Sequence, residues 1–348
     1  MGALEKSALE CMLKGNWNSI HLTVGAVGII SITIIIAASI VLLITITELG
    51  NLGIAHGQVN STSLTSEQSP STTSSNQTAP SDLQSNNTIT RLGLQSSDKT
   101  IELKLLADSL SERLNKSAAI LELTSKLPEV KSTPYSNLIS AKLHGIPKDV
   151  DISKRKVGQS ILSVDKDFRL IFFLMPNGDI YLNEPYLLQA NLTNNNFAHR
   201  GYYKGAINTH NTYLGNVVIS NSSGLPTSHI SVPIYSSAPK GNSTLVGIWA
   251  GGLNLKVLSK YLQSLNLASD ERILYIDQCG HKVADSDKIL ANDYNESFAN
   301  YQAFKNAIAG KSGSTMGVVN GAKKTIQYQP VKFHSTTWVV LLMENDKQ

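Results

Sequence analysis

Cysteine is almost missing from this chain, with two in 348 residues, Cys11 and Cys279, and no CxxC or Cys/His spacing occurs. That excludes a zinc ribbon or a dithiol redox pair. Charge is sparse: 16% of residues carry it, the net charge is +4, and the longest basic run is Lys154-Arg155-Lys156. Nucleic acid is excluded as a partner, because its recognition needs a denser basic surface. A run this short is expected on a solvated turn. Catalytic signatures are lacking too: there is no Gly-x-Ser-x-Gly elbow, HExxH helix, P-loop or paired-carboxylate motif. The chain is therefore expected not to be an enzyme and to hold no cofactor. Asp285-Ser286-Asp287 lacks the repeated oxygen ligands and the glycine of a calcium loop, so no metal is expected there.

What is present is unevenly placed. Residues 22–47 are 26 consecutive uncharged residues dominated by Ile, Leu and Val, and about 20 apolar residues suffice to cross a bilayer as a helix. Lys6 and Lys14 precede this run, whereas no Lys or Arg follows it until Arg91. The positive-inside rule then predicts a single pass, with residues 1–21 as a short cytoplasmic tail and the rest external. On that topology Cys11 and Cys279 lie on opposite sides of the bilayer and cannot pair within one chain. Residues 48–97 are rich in Ser, Thr, Asn and Gln and are predicted to be a disordered stalk. Eight Asn-x-Ser/Thr sequons, at Asn60, Asn76, Asn86, Asn115, Asn191, Asn221, Asn242 and Asn295, all follow the span. They fit an external glycoprotein.

Beyond the stalk the pattern is that of a folded α+β region. Leu103, Leu106, Leu110, Leu114, Ala118 and Leu121 recur at helical spacing and predict a long helix over 98–128, ending at Pro128. That stripe is expected to pack on its own domain or on a second copy in a homodimer. Strand-like runs follow at Phe168–Met175 and Ile180–Leu182, flanking the turn Pro176-Asn177-Gly178-Asp179. Further strands are predicted at Asn216–Ser220, His229–Tyr235 and Leu245–Leu255, with a helix at Val257–Leu265. The series then repeats: Phe172–Tyr181 has a counterpart in Leu274–Val283, Gly178 maps to Gly280, and Trp249 and Trp338 end the two copies. A repeat this long indicates a duplicated module rather than a solenoid.

The order of strand, NGDIY turn, helix start Ala198-His199-Arg200-Gly201-Tyr202-Tyr203-Lys204-Gly205-Ala206 and strand Leu245–Leu255 resembles the double Cache family over about residues 100–345. These are extracytoplasmic sensors of chemotaxis receptors and histidine kinases. The resemblance implies a long N-terminal helix and two PAS-like antiparallel-sheet modules. Residues 150–255 would be the membrane-distal, ligand-binding module and 266–345 the membrane-proximal one. It further implies that Arg200 and Tyr202 match an Arg and an aromatic that hold a ligand carboxylate in amino-acid-binding members. Where those members hold the ammonium, this chain has Val218, Ser220 and Gly252, so a small carboxylate is the expected ligand. The candidate binding residues are Arg200, Tyr202, Tyr203, Tyr181, Tyr186, Tyr213 and Ser220. His199 is expected at the surface.

These readings converge on a membrane-anchored external sensor for a small molecule. Its expected partners are the ligand, the lipid bilayer and a membrane signalling protein. The alternative is a surface interaction or structural protein that keeps the fold without a small ligand.

Overall fold

Leucine and alanine at three- and four-residue spacing build the first element, α1 (Ser96–Thr124), in a computed structural model that describes residues 96–236, 243–290 and 296–346. The expected span at 22–47 and its flanks fall outside the described residues, as does the stalk up to residue 95. Among the described residues no helix is long and apolar enough to cross a membrane. At about 1.5 Å per residue α1 is roughly 43 Å long, and it runs along both halves of the fold. Leu103, Leu106, Leu110, Leu114, Ala118 and Leu121 are buried against the chain's own sheets. Burying each leucine contributes about 1.5–3 kcal/mol. The stripe is thus occupied within the chain and is not available for a second copy.

The helix stops at Thr124 rather than at Pro128, which opens the short helix α2 (Pro128–Lys131). Proline suits that first helical position because its missing N–H would be unpaired there anyway. A helix not foreseen from the sequence, α3 (Ile152–Val164), follows, with Asp151 capping its first turn.

The first sheet starts with the hairpin β1 (Phe168–Leu174) and β2 (Ile180–Glu184). Gly178 sits in the turn at φ +86°, and a Cβ there would lie 2.6 Å from the Ala198 amide nitrogen. After α4 (Tyr186–Ala190) and α5 (Gly201–Thr209) come β3 (Tyr213–Leu214), β4 (Val218–Ile219) and β5 (Pro226–Thr227). The long strands β6 (His229–Tyr235) and β7 (Leu245–Leu253) complete the module. The helix α6 (Leu255–Gln263) leads to β8 (Arg272–Ile276) and β9 (Lys282–Asp285). The chain ends with α7 (Gln302–Ile308), β10 (Gly313–Val319), β11 (Ala322–Phe333) and β12 (Thr336–Asn345).

Both sheets have one topology. The first runs β2-β1-β7-β6-β3 and the second, read from its hairpin edge, β9-β8-β12-β11-β10. The turn is repeated as well: Gly280 has φ +85°, and the amides of Phe197 and Phe298 donate to the carbonyls of Gly178 and Gly280. Each sheet is covered on both faces. In β12, Trp338, Val340 and Leu342 join the core that contains α1, while Val339, Leu341 and Met343 pack with α7. In β1, Ile171 and Phe173 belong to the α1 core, and Leu170, Phe172 and Leu174 face α5. The strand period of two sorts the side chains, and two buried faces are why these strands read as continuous apolar runs.

The Lys154-Arg155-Lys156 run is corrected by α3. Lys154 and Arg155 are buried rather than on a solvated turn. The Lys154 ammonium lies 4.1 Å from the Phe173 ring centroid and 4.4 Å from that of Tyr181, and it donates to the Ser132 carbonyl. Arg155 donates to Glu184 at 2.7 Å.

Candidate functional site

On the α5 side of the first sheet, the pleat brings four side chains onto one floor. Phe172 of β1 stands opposite Asn183 of β2. Leu170 and His229 flank Gly252 in the adjoining row. A Cβ on Gly252 would come within 2.9 Å of Leu170, so the missing side chain lets Leu170 and His229 close up. Above this floor lie Leu192, Phe197, the α5 start with Arg200 and Tyr202, and a strap from Val218 to Ser222. They enclose a cavity of about 40 Å³. One water needs roughly 10–15 Å³ on that measure, so there is room for a few waters or one small molecule.

The lining includes no Asp or Glu; its polar members are Asn183, Arg200, Ser220, Asn221, Ser222 and His229. The Arg200 guanidinium donates to the Asn221 side-chain oxygen and, at 3.5 Å, to the Ile219 carbonyl. Among the described residues no carboxylate pairs with it. Arg169, whose pKa is lowered by burial, has no carboxylate partner among them either. Burial, reinforced by the charges of Arg200 and Arg169, holds His229 down to about 3, so its ring is neutral at physiological pH. That ring lies 4.4 Å from the ring of Tyr202 and 5.5 Å from that of Phe172. Six buried side-chain atoms among the described residues lack a hydrogen-bond partner, and two of them belong to this lining: Asn183 Oδ1 and His229 Nδ1. An unpaired buried polar atom costs about 1–3 kcal/mol, which marks this cavity as a place where a bound group would be favoured.

Of the seven candidate residues, the cavity brings together Arg200, Tyr202 and Ser220. The other four lie elsewhere. Tyr203 donates its hydroxyl to the Pro176 carbonyl at 2.6 Å, tying α5 to the hairpin turn. Tyr181 points to the opposite face of β2 and donates to Asp151 at 2.8 Å. Tyr186 sits beside the Arg155 guanidinium, 5.3 Å from ring centroid to Cζ. Tyr213 packs its ring where a side chain on Gly205 would go. Asn183 and His229 were not foreseen. The one signal for Asn183 was strand alternation, which sets it across from Phe172. His199 is exposed, and the sequon residue Asn221 is in the cavity wall.

The corresponding face of the second sheet is filled by Phe298, Phe304, Ile326 and Tyr328. Asp285 is bound by Arg272 at 2.7 Å and by Lys282 at 3.3 Å, and Asp287 faces Arg272 at 3.4 Å. Protein cations therefore already neutralise that acidic pair. The two modules are stitched together beside the cavity. The Val217 amide donates to Asp277 at 2.6 Å, and the Leu214 carbonyl accepts from Thr336 at 3.2 Å. Trp338 donates to Gln278 at 3.0 Å. Asp277 also lies 3.3 Å from His281. Cys279 is disulfide-bonded, and its partner lies outside the described residues.

No family model matches the chain, and no curated protein matches it. Solved structures do. The extracellular domain of a protein classed as a histidine kinase, rpHK1S-Z16, superposes with a TM-score of 0.54 at 14% identity, covering 72% of this chain and 95% of that one. The ligand-binding domain of the Pseudomonas fluorescens chemoreceptor CtaA, in complex with L-isoleucine, gives 0.50 at 16% identity, covering 72% and 92%. The described residues thus have the double Cache fold of extracytoplasmic sensor domains.

Proposed function

We propose that this protein is an external sensor that binds a small carboxylate in the first module, with Arg200 as the anion clamp. One observation carries the reading: Arg200 stands at the wall of a cavity without an acidic partner among the described residues, so its charge is available to a ligand. An arginine fork suits a carboxylate because it donates two parallel hydrogen bonds. Residues 22–47 would anchor the domain in a membrane and residues 48–97 would form its stalk. Signalling would pass to a membrane partner.

The test is a thermal-shift screen of the full-length protein against short carboxylates, repeated with Arg200 variants. Truncating one side of a buried charged pair costs about 2–5 kcal/mol of affinity, roughly 30-fold or more. Arg200→Ala is expected to abolish the shift and Arg200→Lys to restore part of it. The ligand-free melting point should stay put. A sharp fall in that melting point for Arg200→Ala would make the residue a structural bridge and remove the clamp.

The topology has its own test. Protease added to intact cells is expected to cut the stalk and release a folded fragment; full protection of the stalk would reverse the assignment. The lysine asymmetry favours a cytoplasmic amino terminus, whereas the disulfide at Cys279 is observed in a chain whose one other cysteine is Cys11. Non-reducing electrophoresis separates the cases. A faster-migrating monomer means an internal Cys11–Cys279 link and both ends in one compartment. A dimer means that Cys279 pairs between copies.

A further inference from the structure

The Arg200 guanidinium already has two acceptors, and both belong to the strap. Its Nη2 donates to the Asn221 side-chain oxygen and, at 3.5 Å, to the Ile219 carbonyl. That nitrogen matters to a carboxylate. A guanidinium offers two double-pronged edges, one made of Nη1 and Nη2 and the other of Nε and Nη2. Nη2 belongs to both, so neither edge is clear while the strap keeps it.

The strap is fastened at its base and lightly held at its tip. At the base the Val217 amide donates to Asp277 at 2.6 Å, Thr227 Oγ1 to the Leu253 carbonyl at 3.1 Å and Ser228 Oγ to the Gly215 carbonyl at 2.7 Å. The tip, residues 220–225, is closed by its own turn. There the Ser220 amide donates to the Leu225 carbonyl at 3.0 Å, and the Gly224 amide to the Ser220 carbonyl at 2.9 Å. Leu225 is 43% exposed, and a Cβ on Gly224 would meet nothing within 4 Å. Among the described residues, Arg200 supplies the side-chain hydrogen bond that ties this tip to the body of the module. Asn221 presents one neutral oxygen to the guanidinium. A carboxylate presents two oxygens and the opposite charge, so the exchange favours the ligand. The apparent affinity is still reduced by the fraction of molecules in which Arg200 is latched.

Resting on the carboxylate-clamp reading, we propose that Asn221 is a built-in competitor for the ligand. Its oxygen occupies the fork of Arg200, and a bound carboxylate takes that place and unlatches the strap tip.

The test titrates acetate calorimetrically into the full-length protein and three variants. Asn221→Ala removes the competitor and is expected to bind acetate about three- to fivefold more tightly, the weight of one half-exposed hydrogen bond. Asn221→Asp sets a carboxylate of the chain's own against Arg200 and is expected to weaken acetate roughly tenfold or more. Asn221 opens a sequon that Ser223 completes. Ser223→Ala destroys the sequon, leaves the latch and is expected to match the wild type. Amide hydrogen exchange at residues 220–224 is expected to quicken when acetate is bound. Asn221→Ala binding no more tightly than the wild type, while Arg200→Lys still weakens binding, overturns the latch and leaves the clamp standing. Exchange that slows on binding overturns it as well, because the strap then closes over the ligand. A gain for Ser223→Ala as large as that for Asn221→Ala assigns the effect to a glycan and overturns the inference. Acetate that binds neither the wild type nor Asn221→Ala overturns it too, and if formate and propionate also fail, the clamp reading falls with it.

Discussion

Two arginines of the first module, Arg155 and Arg200, make opposite demands on the fold, and replacing each with methionine should show it. Arg155 is 2% exposed and fully engaged. It donates to Glu184 at 2.7 Å, to the Ile146, Pro147 and Val150 carbonyls at 3.2, 3.1 and 3.1 Å, and to Gln189 at 3.3 Å. The second oxygen of Glu184 accepts from Gln159 at 3.0 Å. Arg155→Met leaves Glu184 as a buried charge facing apolar atoms and strands several carbonyls. Removing one partner of a buried ion pair costs about 3–5 kcal/mol. For a folded region of this size that is a drop of roughly 6–20 °C in melting temperature, at about 2–4 °C per kcal/mol. Arg200→Met, with no acid left behind, is expected to cost under about 1 kcal/mol in the absence of ligand. Urea denaturation followed by the fluorescence of the buried Trp249 and Trp338 measures both. Adding Glu184→Leu to Arg155→Met should recover part of the loss, since directly contacting residues are not additive. Equal losses from the two arginine variants would refute the distinction between a structural and an available guanidinium, and with it the reasoning behind the site.

The repeated turn gives a second expectation. Gly178→Ala and Gly280→Ala force a Cβ to within 2.6 and 2.5 Å of the backbone nitrogens of Ala198 and Ala299 at positive φ. Each should lose about 2 kcal/mol or more, combining overpacking with backbone strain; urea midpoints check this. Lys154 gives a third. Burial lowers it from its ordinary value of 10.5 to about 8. Between those values the unfolded chain binds the proton and the folded one does not, so stability rises with pH across that window. Lys154→Met should remove this rise, worth roughly 3 kcal/mol at 1.36 kcal/mol per pH unit, in denaturation curves compared at pH 7.5 and pH 10.

Much of this architecture was legible because its signals are local. The leucine stripe of α1, the Pro176–Asp179 turn and the His229–Tyr235 strand depend on spacing and turn chemistry within a few residues. The duplication showed because a positive-φ turn demands glycine in both copies. The helix α3 escaped because its inward face carries Lys154 and Arg155, whose burial depends on Phe173, Tyr181 and Glu184 far along the chain. The same holds for the site. Arg200 and Tyr202 lie in one motif, so they could be named together. Asn183 and His229 come from strands that are not neighbours and share one face of the sheet only through register, which also places Tyr181 on the opposite face.

The stitch between the modules carries a consequence of its own. The strap that walls the cavity begins at Val218, one residue after the amide held by Asp277. Work done on the strap by an occupant is therefore also work on the second sheet. By reciprocity, whatever loosens the second sheet's grip changes occupancy by the same factor. His281 sits on that grip: its hydrogen bond to Asp277 is the leading cause that raises its pKa above the usual 6.5. A raised histidine stabilises fully below the unfolded value and loses that contribution as pH climbs through the folded one. The His281–Asp277 contact therefore contributes most in acid and least at alkaline pH. Ambient acidity thus acts on Asp277, the residue that also holds the amide next to the strap.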